Sequence, residues 1–205
     1  MRIKRLYDLP VPLIGLTGGI ACGKSTITKW LREEGFAVID GDALVKQIYK
    51  TQEAKDFLVS EIKSDLVQNG EIDFPSLRYL VFNYGSIKLQ VEQFIIKRLK
   101  NQFIQEFNRF KPKPKFVFYD TALIFEWGIN KQCDKVVTVY APKEIQLKRL
   151  MDRDIKCTSE TAIKMIASQR DVEDKKRLAD YVIDNSGDLE QTKENFNKFI
   201  KEFVC

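Results

Sequence analysis

The apolar run Pro12–Thr17 opens directly into Gly18-Gly19-Ile20-Ala21-Cys22-Gly23-Lys24-Ser25, which satisfies G-x-x-x-x-G-K-[ST]. From Ser25 onward the segment STITKWLREEG has helical patterning, so the motif sits between a strand and a helix. Each residue type has a physical reason. Glycines let backbone N–H groups turn inward without a clashing side chain, the helix N-terminus adds partial positive charge, and Lys24 can reach terminal phosphates. The Ser25 hydroxyl suits magnesium. A glycine-rich turn that merely joined strand to helix would need neither a lysine nor a hydroxyl there, so this stretch is expected to bind a nucleoside triphosphate. Cys22 is expected to be present because it is small; alternatively, the helix terminus and Lys24 could lower its pKa and make it reactive.

The rest of the chain supplies a setting for such a loop. The runs LIGLT, FAVID, FVFYD, KVVTVY and YVID alternate with helical patterns, as strands buried on both faces of a parallel sheet do. Three of them end in aspartate, placing Asp40, Asp120 and Asp184 at carboxyl ends of strands, where open parallel sheets hold ligands. Between them, apolar residues from Ile87 to Phe110 recur at three-four spacing and predict a long helix over 86–110. Shorter helices are predicted over 43–66 and 76–82, with a turn at Asn69-Gly70. At 205 residues and 44% apolar content, one domain with an insertion is expected. No apolar stretch approaches the roughly 18 to 20 residues of a membrane span, and the opening MRIKRLYDLP lacks the pattern of a signal peptide. A cytoplasmic location without membrane contact is expected.

Composition narrows the chemistry. There is no histidine, which leaves carboxylates as proton acceptors near neutral pH. The four cysteines form no C-x-x-C pair, so neither a zinc site nor a disulfide framework is expected. A net charge of +5 suits a small anionic ligand and is too mild for nucleic-acid wrapping. NKQCD at 130–134 misses the guanine-reading N-K-x-D by one position, and DNSG at 184–187 comes too late for a GTPase switch. A small-molecule kinase instead needs a carboxylate to accept the acceptor's proton and cations to offset phosphoryl charge. Asp40 and Asp42 in VIDGD can send one carboxylate into the site while the other anchors the loop; Asp42 could instead cap the helix ALVKQIY. Basic residues in PKEIQLKRLMDRD and SQRDVEDKKR, Arg149 and Arg153 among them, can form a lid of two helices, the second capped by Thr158 and running to Arg170. Most of these charges are expected simply to solvate helix faces. The last helix, with Leu189, Phe196, Ile200 and Phe203 on one face, is expected to pack on the sheet.

The motifs IGLTGGIACGKST, VIDGD-ALVKQI, LIFEWG, APKEIQLKRLMDRD and ASQRDVEDKKRLADYVIDNSGDLEQ stand in an order and spacing that resembles the dephospho-coenzyme A kinase family. The resemblance implies an α/β P-loop kinase fold, with a five-stranded parallel sheet flanked by helices, a helical substrate-binding insert and a helical lid. The corresponding boundaries are 1–47 and 115–205 for the nucleotide-binding core, about 143–178 for the lid, and 48–114 for the insert. It implies ATP-dependent, magnesium-dependent phosphorylation of the ribose 3'-hydroxyl of dephospho-coenzyme A. Gly18, Gly19, Ile20, Ala21, Cys22, Gly23, Lys24, Ser25 and Thr26 would lie on the ATP phosphates and Asn185 near the adenine. Asp42 would be the general base, with Asp40 supporting it, and Arg149 and Arg153 would lie in or beside the lid. The chain departs from the family on the acceptor side: DTALIFE lacks the usual proline, the insert has no His-Pro pair, and Asp73 is followed by Phe74-Pro75. A nucleoside monophosphate kinase and a non-catalytic nucleotide-binding protein are the alternatives.

Overall fold

The computed structural model describes residues 4–153 and 158–204. In chain order the elements are β1 (Leu13–Gly18), α1 (Lys24–Glu33), β2 (Val38–Asp40), α2 (Gly41–Tyr49), α3 (Gln52–Phe57), β3 (Val67–Gln68), β4 (Glu71–Ile72), α4 (Phe74–Asn83) and α5 (Gly85–Arg109). They continue with β5 (Val117–Asp120), β6 (Lys135–Tyr140), α6 (Lys143–Arg153), α7 (Ser159–Ala167), α8 (Val172–Leu178), β7 (Tyr181–Asp184) and α9 (Leu189–Phe199). The chain divides into two compact units, one of residues 1–39 and 112–205 and one of residues 40–111.

The first unit is built on a five-stranded parallel sheet in the order β2-β5-β1-β6-β7, the α/β arrangement expected for a P-loop kinase fold. Central β1 pairs in parallel with β5 from Leu13 opposite Val117 to Leu16 opposite Asp120, and with β6 through Gly18 opposite Val139. All six β1 residues are buried, which is why the run carries no polar alternation. The chain first winds outward from β1 to β2, and later crosses to β6 and β7 on the other side. β1 therefore lies where the winding reverses, the position at which open parallel sheets place ligands. Arg5 fixes the start of this strand: it binds Asp134 through two bonds of 2.7 and 2.9 Å, and Asp134 accepts the Leu13 amide at 2.7 Å.

The core of this unit joins Leu16, Ile27, Leu31, Phe118, Val137, Ile183, Phe196 and Phe199. Phe118 meets Phe36 edge-on at 5.8 Å and Phe199 at 6.2 Å, and Trp30 lies 5.5 Å from Phe196. The C-terminal helix thus packs through Phe196, Ile200 and Phe203, with a π turn over Ile200–Val204 at its end, whereas Leu189, expected on the same face, is exposed at the helix start.

The second unit is helical. The helix expected over 43–66 is instead broken. α2 stops at Tyr49, Thr51 caps α3 by accepting the Ala54 amide at 3.2 Å, and a π turn over Leu58–Ile62 and a short 3-10 turn come after it. The competing cap at Thr51 explains the break, because its hydroxyl starts a new helix where an apolar periodicity alone shows continuity. Asn69-Gly70 does form a turn, and both residues have positive φ, joining the short antiparallel pair β3–β4. Asp73-Phe74-Pro75-Ser76 is a helix start: Asp73 accepts the Ser76 amide at 3.1 Å and hydroxyl at 2.6 Å, and Pro75 falls in the first turn of α4. Long α5 packs Phe94 against Phe57 in a stack at 4.2 Å, with the Arg98 guanidinium over the Phe94 ring.

Phe118 is fully buried among aromatic neighbours, whereas Leu189 is 66% exposed at the start of α9. Replacing Phe118 with alanine is expected to cost about 3–5 kcal/mol of stability. Leu189→Ala should change it by no more than about 0.5 kcal/mol. Urea-denaturation midpoints of the two variants check this.

Candidate active site

The site begins where β1 gives way to α1. Gly18 packs so closely that a Cβ there would lie 2.7 Å from the Val139 carbonyl oxygen. Gly23, the residue before α1, has φ +84°, and a Cβ on it would lie 1.9 Å from Asn185 Nδ2. Only glycine fits both the left-handed backbone and the space. Helices α2, α3, α4, α7 and α9 are capped by the side chains of Asp40, Thr51, Asp73, Thr158 and Asp188. Helix α1 starts from Gly23 with no side-chain cap, which presents its first amides and its dipole to an anion.

The loop is held from beneath. Asn185, just past β7, donates through Nδ2 to the Cys22 carbonyl at 2.7 Å and accepts the Thr192 hydroxyl at 2.6 Å, while its own amide reaches Tyr140 O at 2.8 Å. The Arg149 Nη2 donates to Asn185 O at 2.9 Å. Arg149 Nη1 is buried without a hydrogen-bond partner, 3.9 Å from where a Gly23 Cβ would stand. The Ile20 amide donates to Gln169 Oε1 at 2.9 Å. A cavity of about 480 Å³ is bordered by Gly19, Gln146, Leu147, Ile166, Gln169 and Arg170.

Two ion pairs lie at the carboxyl edge of the sheet. Lys24 Nζ pairs with Asp120, which ends β5, is nearly fully buried, and also accepts the Thr28 hydroxyl. Lys175, on α8, is completely buried; its ammonium donates to Ala122 O at 2.6 Å and pairs with Glu126 Oε1 at 2.9 Å. Burial lowers the Lys175 pKa, and Glu126 opposes that effect.

The first unit therefore brings together Gly18, Gly19, Ile20, Ala21, Cys22, Gly23, Lys24, Ser25, Thr26, Arg149 and Asn185. Ser25 is exposed in the first turn of α1, so its hydroxyl is a hard oxygen donor of the kind magnesium takes. Arg153 is exposed at the end of α6, four residues from Arg149. In the second unit, Asp40 is the residue that caps α2, accepting the Ala43 amide at 3.0 Å, and Asp42 is exposed in that helix's first turn. The alternative that Asp42 caps this helix is thus corrected: the cap belongs to Asp40.

Cys22 fits the reading of a small residue in a tight place, and the alternative of a reactive thiol is corrected. Its side chain is fully buried, its thiol approaches Ala141 O at 3.8 Å, and burial raises its pKa. Lys24 is turned to Asp120 and Arg149 to Asn185 O, so neither cation makes it a thiolate. Cys133 is buried and free as well, its pKa pushed up to about 12 by burial and the neighbouring Asp134 carboxylate. Cys157 and Cys205 lie outside the described residues. Among the described residues there is no cluster of metal-ligating side chains and no helix long and apolar enough to cross a membrane.

Sequence reasoning misses Glu126, Gln169 and Lys175. Lys175 stands in a run of three basic residues that reads as solvated charge. Its spacing of three from buried Val172 is the available signal.

A family model described as dephospho-CoA kinase matches residues 12–191 of the chain. A dephospho-CoA kinase of Fusobacterium nucleatum is 37% identical over 192 residues, spanning 93% of this chain and 98% of that protein. A solved structure of a Thermus thermophilus protein superposes with a TM-score of 0.81 at 27% identity, covering 94% of this chain and 98% of that one. The structure of dephospho-CoA kinase from Campylobacter jejuni superposes with a TM-score of 0.67 at 29% identity, covering 93% and 96%.

Burial and a raised pKa make Cys22 and Cys133 poor nucleophiles at neutral pH. Brief iodoacetamide treatment of the folded protein at pH 7.5, with peptide mass mapping, should leave both unmodified, and both should alkylate in denaturant. Rapid labelling of Cys22 in the native protein would contradict its described environment.

Proposed function

The chain belongs to the dephospho-CoA kinase family, and from that premise we propose that it transfers the γ-phosphoryl group of ATP to the ribose 3'-hydroxyl of dephospho-coenzyme A, releasing coenzyme A and ADP. The observation that carries this reading is the glycine-bounded, uncapped start of α1 beside Lys24, within a chain that matches the family from residue 12 to 191. Phosphoryl transfer asks a protein for positioning and charge stabilisation more than for covalent chemistry, and the residues supply both.

Amides of the turn from Gly18 to Thr26 hold the phosphates, and the Lys24 ammonium exchanges Asp120 for the terminal phosphates. Magnesium accompanying the triphosphate would be held by the Ser25 hydroxyl and would neutralise phosphate charge. Asn185 fixes the loop and lies by the adenine. Asp42 accepts the proton of the attacking hydroxyl; what supports giving it this role rather than Asp40 is that the Asp40 carboxylate already serves as a helix cap. Arg149, with one buried N–H lacking a partner, offsets charge on the migrating group, and Arg153 assists from the next turn of α6. Residues of about 143–178 form the lid, 48–114 the acceptor insert, and 1–47 with 115–205 the core. The protein works in the cytoplasm on small molecules, without nucleic acid or membrane.

ADP release measured with dephospho-coenzyme A and with a panel of nucleoside monophosphates, against Lys24→Ala as the blank, tests the acceptor. Release driven by dephospho-coenzyme A alone is expected. Release driven only by nucleoside monophosphates would make the chain a nucleotide kinase, and none above the blank would make it a non-catalytic binder. Asp42→Asn should lower kcat by about 10² to 10⁴ while ATP affinity holds. A near-normal rate in that variant would move the base elsewhere.

A further inference from the structure

The Gln169-Arg170 turn connects α7 to α8, and it is bonded on both sides. The Gln169 side-chain oxygen accepts the Ile20 amide at 2.9 Å, in the middle of the phosphate loop. The next amide, of Arg170, donates at 2.9 Å to Glu126 Oε1. That same oxygen accepts from the fully buried Lys175 ammonium at 2.9 Å, and Lys175 in turn reaches Ala122 O at 2.6 Å and Gly18 O at 3.5 Å. The bonds close a ring: from the start of the loop at Gly18 through Lys175, Glu126, Arg170 and Gln169, and back to the loop at Ile20.

Such a ring is not needed to build the sheet. β1, β5 and β6 are already registered by their own ladders, and Ala122 O also receives the Thr17 hydroxyl at 3.1 Å. What the ring adds is a fixed seat for Gln169. Taking a lysine and a carboxylate out of water is costly unless each is paired and hydrogen-bonded. Here the lysine is wholly buried; of its ammonium's partners, Gly18 O lies at the start of the loop and Glu126 bonds the turn that touches it, while Ala122 O follows β5.

We propose that Gln169 is a positioning residue for ATP binding: seated by the Glu126–Lys175 pair, it holds the Ile20 turn of the phosphate loop in the shape the triphosphate requires. This rests on the kinase reading only in that ATP is the nucleotide, and it assigns no contact between Gln169, Glu126 or Lys175 and the acceptor. Gln169 is only partly buried, so Gln169→Leu keeps the fold while removing the acceptor oxygen. Glu126 does not touch the loop and acts through Gln169.

Calorimetric titration of MgATP, paired with thermal melting, tests this in the full chain, with no acceptor substrate in the cell. Gln169→Leu should weaken ATP binding by about 3- to 10-fold, the worth of one hydrogen bond, with its melting temperature essentially that of wild type. Glu126→Gln should weaken binding similarly, and the double variant should be no weaker than the weaker single, because both losses act on one contact. Unchanged ATP affinity in Gln169→Leu overturns the proposal. Losses that add in the double variant overturn the part given to Glu126, as does an affinity loss in Glu126→Gln that a loss of melting temperature fully accounts for. A wild-type chain that binds no MgATP would overturn the kinase reading itself, and the role of Gln169 with it.

Discussion

Strand β1 is bonded to a neighbour on each side and buried along its whole length, and the loop after it leads into a helix that starts with no side-chain cap. That combination dictates the remaining features of the first unit. A strand locked by two ladders delivers Gly18 to a fixed point, against the Val139 carbonyl with no room for a side chain. From there the backbone must turn into α1 through a left-handed residue, and Gly23 meets both that torsion and the close approach of Asn185. A helix that begins without a side-chain cap leaves an electrostatic demand of the kind a phosphate can answer.

Charge beneath the loop is arranged in pairs. Lys24 has Asp120, and Lys175 has Glu126. Lone buried charges would be neutralised or expelled, so each carboxylate accepts a further hydrogen bond: Asp120 from the Thr28 hydroxyl of α1, and Glu126 from the Arg170 amide. The two lysines differ in what they are free to do. Lys175 is enclosed and bonded to carbonyl oxygens, which suits a fixed support. Lys24 keeps some exposure, so its ammonium can leave one anion for another when a triphosphate arrives.

Much of this arrangement is legible in the chain because it is local. The phosphate loop, the five strand runs, the aspartates that end β2, β5 and β7, and the long helix near 85–109 are each written in contiguous residues, although β7 buries only Ile183 fully. What is not legible depends on partners far apart in sequence or on competition between local signals. Cys22 sits beside a lysine and a helix N-terminus in sequence, yet in the fold it faces Ala141 and the core, and burial decides its pKa. Apolar spacing runs through Ala43–Leu66, and the Thr51 cap divides it. Asp42 is the cap the sequence offers for this helix, and backbone geometry at the end of β2 gives the cap to Asp40. Lys175 looks like its neighbours Lys176 and Arg177, and only the placement of α8 buries one of the three. Phe74-Pro75 reads as a departure after Asp73, and proves to be an ordinary helix start.

The proposed function requires the Gly18–Thr26 turn to grip a magnesium triphosphate and Lys24 to leave Asp120 when it does. A crystal structure with magnesium and a non-hydrolysable ATP analogue puts both halves of that statement to trial at once. The β- and γ-phosphates should lie on the amides at the start of α1, with Lys24 Nζ moved from Asp120 to a phosphate oxygen. An analogue bound elsewhere, or Lys24 still paired with Asp120 beside an occupied loop, would refute it.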